Sequence, residues 1–133
     1  MKRTPLKHRN KGLRRVGKHD KMSLTRLHKK AWDLQSKAIR QEEKCCYTCG
    51  ATGDWKDAQL GHFRHGKNMD FIRKNVHRQD VRCNKYLSGN LGKYAEALEK
   101  QYGYGIIQEL NHLADQNKIW KRQELLEIIK KYK

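Results

Sequence analysis

Four residues in two pairs have the types and spacing of a metal centre. Cys46 and Cys49 form a C-x-x-C in "CYTCG", and Gly50 directly behind them permits the tight turn of a zinc knuckle. Zinc takes four ligands in a tetrahedron at about 2.0 to 2.3 Å, so one knuckle supplies half a site. The second half needs another pair at similar spacing. Cys83 is the one cysteine outside the first cluster, and three residues before it stands Asp80, whose carboxylate oxygen is an acceptable zinc ligand. The expected site is therefore a structural Zn2+ held by Cys46, Cys49, Asp80 and Cys83. Three alternatives stay open at this level: His77 in place of Asp80, Cys45 in exchange for Cys46, or thiols that are reduced and merely packed. Nothing in the sequence suggests secretion, and in a reducing compartment such cysteines are more often ligands than disulfides.

These residues lie between segments with a helical pattern. After Ser23, placed to act as an N-cap, Leu24, Leu27, Ala31, Leu34 and Ala38 recur at three-and-four spacing and predict a helix running to about Glu43. Trp32 and Ile39 widen its apolar face. Leu91, Tyr94, Ala95 and Leu98 predict a second helix, ended by Gly103. Ile106, Ile107, Leu110, Leu113 and Ala114 predict a third, and Leu125, Leu126, Ile129 and Tyr132 a last one after "NKIW". Residues 44–90 lack such a stripe. "DAQLGHF" and "NVHRQDV" read as the strands of a hairpin around the loop "RHGKNMDFIRK", and a short helix is expected to begin after Cys83.

The order "GHF" at 61–63, Asn75, Asp80/Cys83 and Asn84 resembles that of HNH nucleases. More narrowly, the chain resembles the NinG/Rap family of phage recombination endonucleases. The likeness rests on "CYTCG", "QLGHF", "NVHRQ", "CNKYLSGN" and the spaced Tyr94, Leu98, Tyr102 and Gly103, and it extends to Trp32 and "NKIW". It covers about residues 30 to 133. The family pattern has a cysteine where Asp80 stands, and many HNH enzymes carry a metal-binding acid where Gly61 precedes the histidine.

The resemblance implies an α+β protein with a zinc-bound ββα-metal (HNH, His-Me finger) core flanked by helices. It implies a metal-dependent DNA endonuclease acting on branched recombination intermediates such as D-loops and Holliday junctions. Phosphodiester hydrolysis needs a water nucleophile, a base and positive charge on the phosphorane and leaving oxygen. By position His62 would be the base, since an imidazole of pKa near about 6.5 is neutral at working pH. Asn84 would hold a catalytic Mg2+ or Mn2+ through its amide oxygen. Asn75 would bond to backbone and orient His62. His77, two residues beyond Asn75 on the same strand face, is a candidate further ligand of that metal or a phosphate contact. The resemblance also places the protein in the cytoplasm of a bacterial host, with recombination proteins as partners.

Charge agrees with a polyanionic partner. Thirty-one Lys and Arg oppose fourteen Asp and Glu, for a formal +17. Residues 1–30 hold twelve of the cations against Asp20 alone. Residues 1–22 read as a basic arm with little structure of its own, and 23–133 as a single nuclease domain with its core at 44–90 and C-terminal helices at 91–133. In the arm, Lys2, Arg3, Lys7, Arg9, Lys11, Arg14, Arg15 and Lys18 would settle on phosphates and release counterions. In the core, Arg64, Lys67, Arg73 and Arg78 are the expected phosphate contacts. No apolar run reaches the roughly 18 residues of a membrane span, and no signal-peptide pattern opens the chain. A symmetric junction offers two equivalent cuts, which a homodimer would suit. A zinc-stabilised DNA-binding module without catalysis is the competing reading. An RNA-associated basic protein fits the composition but leaves the His/Asn constellation unexplained.

Overall fold

The computed structural model describes residues 21–133. All but Lys21 and Met22 of the expected arm, and with it Lys2 through Lys18, lie outside the described residues. Helix α1 spans Leu24–Glu42, and the Ser23 hydroxyl caps it by accepting from Arg26 N at 3.2 Å. Its buried face is Leu27, Ala31, Gln35 and Ile39, one residue per turn. At Glu43 the backbone becomes extended, and the chain enters the cysteine knuckle.

Strands β1 (Gln59–His62) and β2 (Val76–Gln79) form the antiparallel hairpin, with Gly61 opposite His77 and His62 opposite Val76. Alternation divides the side chains between two faces. Leu60, His62, Val76 and Arg78 turn toward α1, where Ile39, Leu60 and Val76 form one apolar cluster. Gln59, Gly61, His77 and Gln79 share the opposite face. The short helix begins one residue before Cys83 rather than after it, as a π-turn over Arg82–Tyr86. The cause is Asp80, whose Oδ1 accepts from Cys83 N at 2.7 Å and so acts as the cap.

Helix α2 (Leu91–Tyr102) ends at Gly103, and α3 (Ile106–Asp115) folds back on it. Together they bury Tyr94, Leu98, Ile106 and Leu110 against Met69. Helix α4 (Arg122–Tyr132) returns to α1, joining Leu125 and Ile129 to Leu27 and Ala31. Each fully buried Leu or Ile in these clusters is worth roughly 1.5–3 kcal/mol. The result is an α+β fold in which helices brace a two-stranded sheet from both faces. No helix among the described residues is long and apolar enough to cross a membrane.

Candidate metal centre and active site

The knuckle and the π-turn meet at one end of the hairpin. Ligand atoms of Cys46, Cys49, Asp80 and Cys83 all lie within 4.8 Å of one another. A zinc tetrahedron with bonds of about 2.3 Å has edges of roughly 3.7 Å, so modest contraction closes this set around an ion. The knuckle is shaped by backbone bonds from Cys46 N to Ala51 O and from Gly50 N to Cys46 O, and Gly50 takes φ +77°, a value that favours glycine. Cys46 and Cys83 are buried, whereas Cys49 is exposed.

Donors in this cluster shift one another's protonation. Desolvation of the sulfur and the facing Asp80 carboxylate push the Cys49 thiol up to about 12. Asp80 itself is held below the usual carboxylate range by the Cys83 amide and the Cys49 thiol. Burial raises Cys46, but the Thr48 hydroxyl and backbone N–H groups outweigh it and lower the thiol. Asn90 Nδ2 donates to Cys83 Sγ at 3.6 Å. Asp80 thus has two tasks, capping with Oδ1 while Oδ2 lies 3.0 Å from Cys49 Sγ. A cysteine at that position would offer its one sulfur to the ligand set and no oxygen for the cap. The residues fit a structural Zn2+, with thiolate and carboxylate donors in closed tetrahedral number.

Neither alternative ligand belongs to this cluster. Cys45 is exposed and outside it. His77 is fully buried, stacked on Tyr47 at 3.7 Å between ring centroids. Its Nδ1 lies 2.7 Å from Glu43 Oε2 and its Nε2 3.2 Å from Lys74 O. Both nitrogens are engaged inside the fold and the ring is fully buried, so neither is open to a metal or a phosphate, and the expectation of His77 as a ligand or phosphate contact is corrected.

Two of the expected phosphate contacts are likewise committed to the fold. Arg78 is buried, donating to Arg40 O, Glu43 O and Gly53 O, and it pins the knuckle loop to the end of α1. Arg73 pairs with Glu43 at 3.2 Å and donates to Val76 O. Strand alternation places Arg78 on the α1 side, where phosphate cannot reach it. Arg64 donates to Asn111 Oδ1, while Lys67 is exposed beside the cleft described next.

His62 is the last residue of β1, and its ring stacks nearly parallel on Trp32 at 4.8 Å. Nε2 lies 2.7 Å from Asp70 Oδ1, and His28 Nε2 lies 2.6 Å from Asp70 Oδ2. Burial raises the Asp70 pKa, but hydrogen bonds from His62 and His28 outweigh it and keep the group below its ordinary range. An ionised Asp70 accepts from Nε2–H, which fixes the tautomer of a neutral His62 with its lone pair on Nδ1. Asn75, fully buried, accepts from Arg64 N and donates to Arg64 O and Met69 O, tying the loop that carries Asp70 to the strand that carries His62. His62 opens on a cleft of about 630 Å³ that also exposes Trp32, Trp120, Lys29, Lys67 and Lys118.

Asn84 sits in the π-turn on the other face of β1. Its Nδ2 donates to Gln59 Oε1 at 2.8 Å, which turns Oδ1 toward Gly61. His62 and Asn84 therefore flank consecutive residues of one strand, from opposite faces. Sequence reasoning passed over Asp70 and His28. No spacing rule links residues 28, 62 and 70, and only the loop path brings them together.

A family model described as Bacteriophage Lambda NinG protein matches residues 2–133. The chain belongs to the NinG family. It is 30% identical over 98 residues to Protein ninG of Escherichia phage 933W and to that of Enterobacteria phage VT2-Sa, covering 70% of this chain and 47% of each relative. Protein ninG of Salmonella phage P22 is 30% identical over 76 residues, 53% of this chain and 36% of that protein. The chain spans about half the length, or less, of these NinG relatives. No solved structure matches it.

Proposed function

We propose that this NinG protein is a metal-dependent DNA endonuclease of the HNH type, built on a ββα-metal core and acting on branched recombination intermediates. The observation that carries the reading is the His62–Asp70 pair at the end of β1. Asp70 holds one ring nitrogen and leaves the other to take a proton from water at the mouth of a lysine-bearing cleft. Asn75 fixes the loop between them, and Lys67 offers positive charge to the phosphate backbone. Asn84, on the other face of β1 from His62, would hold a divalent ion, Mg2+ or Mn2+. A phosphate at the end of the strand must then meet both, the ion supplying charge to the phosphorane and the leaving oxygen. Zn2+ at the cysteine cluster would keep the π-turn, and with it Asn84, in fixed relation to the hairpin. The net charge of +17 favours DNA as partner. The preference for branches, a homodimer matched to a symmetric junction, recombination partners and action in the host cytoplasm follow from the family resemblance and belong to the same proposal.

The test is cleavage of linear, looped and four-way DNA with Mg2+ or Mn2+, beside His62→Ala. The expected result is metal-dependent cutting that falls by about 10²–10⁴ in the variant while DNA binding is retained. DNA binding with no metal-dependent cutting in the native chain would instead establish the non-catalytic binding module.

A further inference from the structure

Gly61 stands where its strand offers no side chain, and the structure shows what uses the space. A Cβ built on Gly61 would lie 1.7 Å from Gln79 Oε1 and 2.9 Å from Asn84 Oδ1. Two amide oxygens, one from β2 and one from the π-turn, thus border the same small volume. Gln79 is fully buried, yet its Oε1 has no hydrogen-bond partner. A buried acceptor left unsatisfied costs about 1–3 kcal/mol, so such an atom calls for an explanation.

The orientation of this amide is fixed by its surroundings. Gln79 Nε2 lies 2.8 Å from Gly89 O and 3.1 Å from Thr48 Oγ1. A carbonyl only accepts, so the nitrogen must face Gly89 and the oxygen must face Gly61. Gly89 is itself held at φ +92°, between Ser88 and Asn90 at +50° and +49°, so a left-handed turn presents that carbonyl. On the far side, Asn84 Nδ2 is turned to Gln59 Oε1, which directs Oδ1 inward.

We propose that Gln79 Oε1 and Asn84 Oδ1 together hold a hard divalent cation, Gln79 taking the place that an acidic side chain at position 61 would otherwise fill. The inference rests on the nuclease reading for its purpose, though its geometry stands apart from it. Oxygen donors at about 2.0–2.1 Å suit Mg2+ or Mn2+ and disfavour zinc, which the thiolates take. Both ligands are neutral amides, so the ion keeps its full charge for a substrate phosphate and binds weakly in the phosphate's absence.

The native zinc-loaded protein, labelled with nitrogen-15, tests this without any variant. Paramagnetic Mn2+ should broaden the side-chain amide signals of Gln79 and Asn84 before other side-chain amides, and excess Mg2+ should restore them. A Gln79 signal indifferent to Mn2+, as an ordered water on Oε1 would leave it, overturns the proposal. Gln79→Leu should weaken Mn2+ binding at least about tenfold with zinc content unchanged. Gly61→Asp combined with Gln79→Ala should recover it, because truncation at Cβ clears both Gln79 Oε1 and Cδ, which lie 1.7 and 2.7 Å from a Cβ at position 61, and the carboxylate then enters the space beside Asn84. Failure of that pair to recover binding, with the fold intact by circular dichroism, counts equally against the site. If Mn2+ finds these amides but the native protein cuts no DNA, the site stands and the nuclease reading falls. If DNA is cut and the amides do not respond, the site alone falls.

Discussion

Of the three histidines held by a carboxylate among the described residues of this NinG chain, His77 and His62 differ in everything else that matters. His77 and Glu43 close a pair at 2.7 Å inside the fold, with Tyr47 stacked over the ring, both nitrogens committed, and Arg73 and Arg78 N sharing the carboxylate. His62 and Asp70 form a pair of the same length, 2.7 Å, but one ring nitrogen is left over and the ring borders a cleft. The carboxylates are alike, both below their ordinary pKa, so charge pairing does not separate them. Access and the second nitrogen do. The nuclease reading therefore rests on His62, whose second ring nitrogen has no hydrogen-bond partner among the described residues.

The largest expected effect is on the open pair. His62→Ala should lower metal-dependent cleavage by about 10²–10⁴ with little change in urea unfolding, whereas His77→Ala should leave the rate per folded molecule near native. If His77→Ala cost as much activity as His62→Ala, the distinction would be lost. Next comes the closed pair: Glu43→Ala strands a buried imidazole and two arginine contacts, and should cost about 3 kcal/mol in denaturant unfolding. Asp70→Asn follows, with cleavage reduced about ten- to a hundredfold and the native rate approached again with Asp70→Glu if carboxylate orientation is what counts. The smallest effect is with pH. Both carboxylates have folded pKa values below their unfolded ones, so the stability they contribute is full above about pH 5 and is lost as pH falls through the folded values. Glu43→Gln should flatten the acid limb of the stability curve more than Asp70→Asn, because Glu43 serves three partners.

How much of this was legible in the sequence follows from how local each feature is. The helices were, because a three-and-four stripe such as Leu27, Ala31, Ile39 reports its own burial, and Ser23 announces the start of α1. The cysteine cluster with Asp80 was, because a short spacing on each side of the hairpin carries its own geometry. The roles of Asp70 and His28 were not, since they depend on a loop whose path Asn75 fixes from eleven residues away. Arg78 looked like a surface cation because charge says nothing of direction, although strand alternation already set it toward α1. Gly61 was noticed as a missing acid, while its second meaning, a glycine within a strand where another group approaches closely, pointed to Gln79.

The Thr48 hydroxyl touches both halves of the molecule, with Cys46 Sγ at 3.3 Å on one side and Gln79 Nε2 at 3.1 Å on the other. A hydroxyl has one proton to give, and while it accepts from the glutamine that proton is free to point at sulfur. With a metal bound, Cys46 would be a thiolate that accepts this proton, and a thiol in its place would hold the threonine less firmly. Were Zn2+ bound at the knuckle, its removal would therefore be felt at the Gln79 amide too, because both contacts meet on one oxygen.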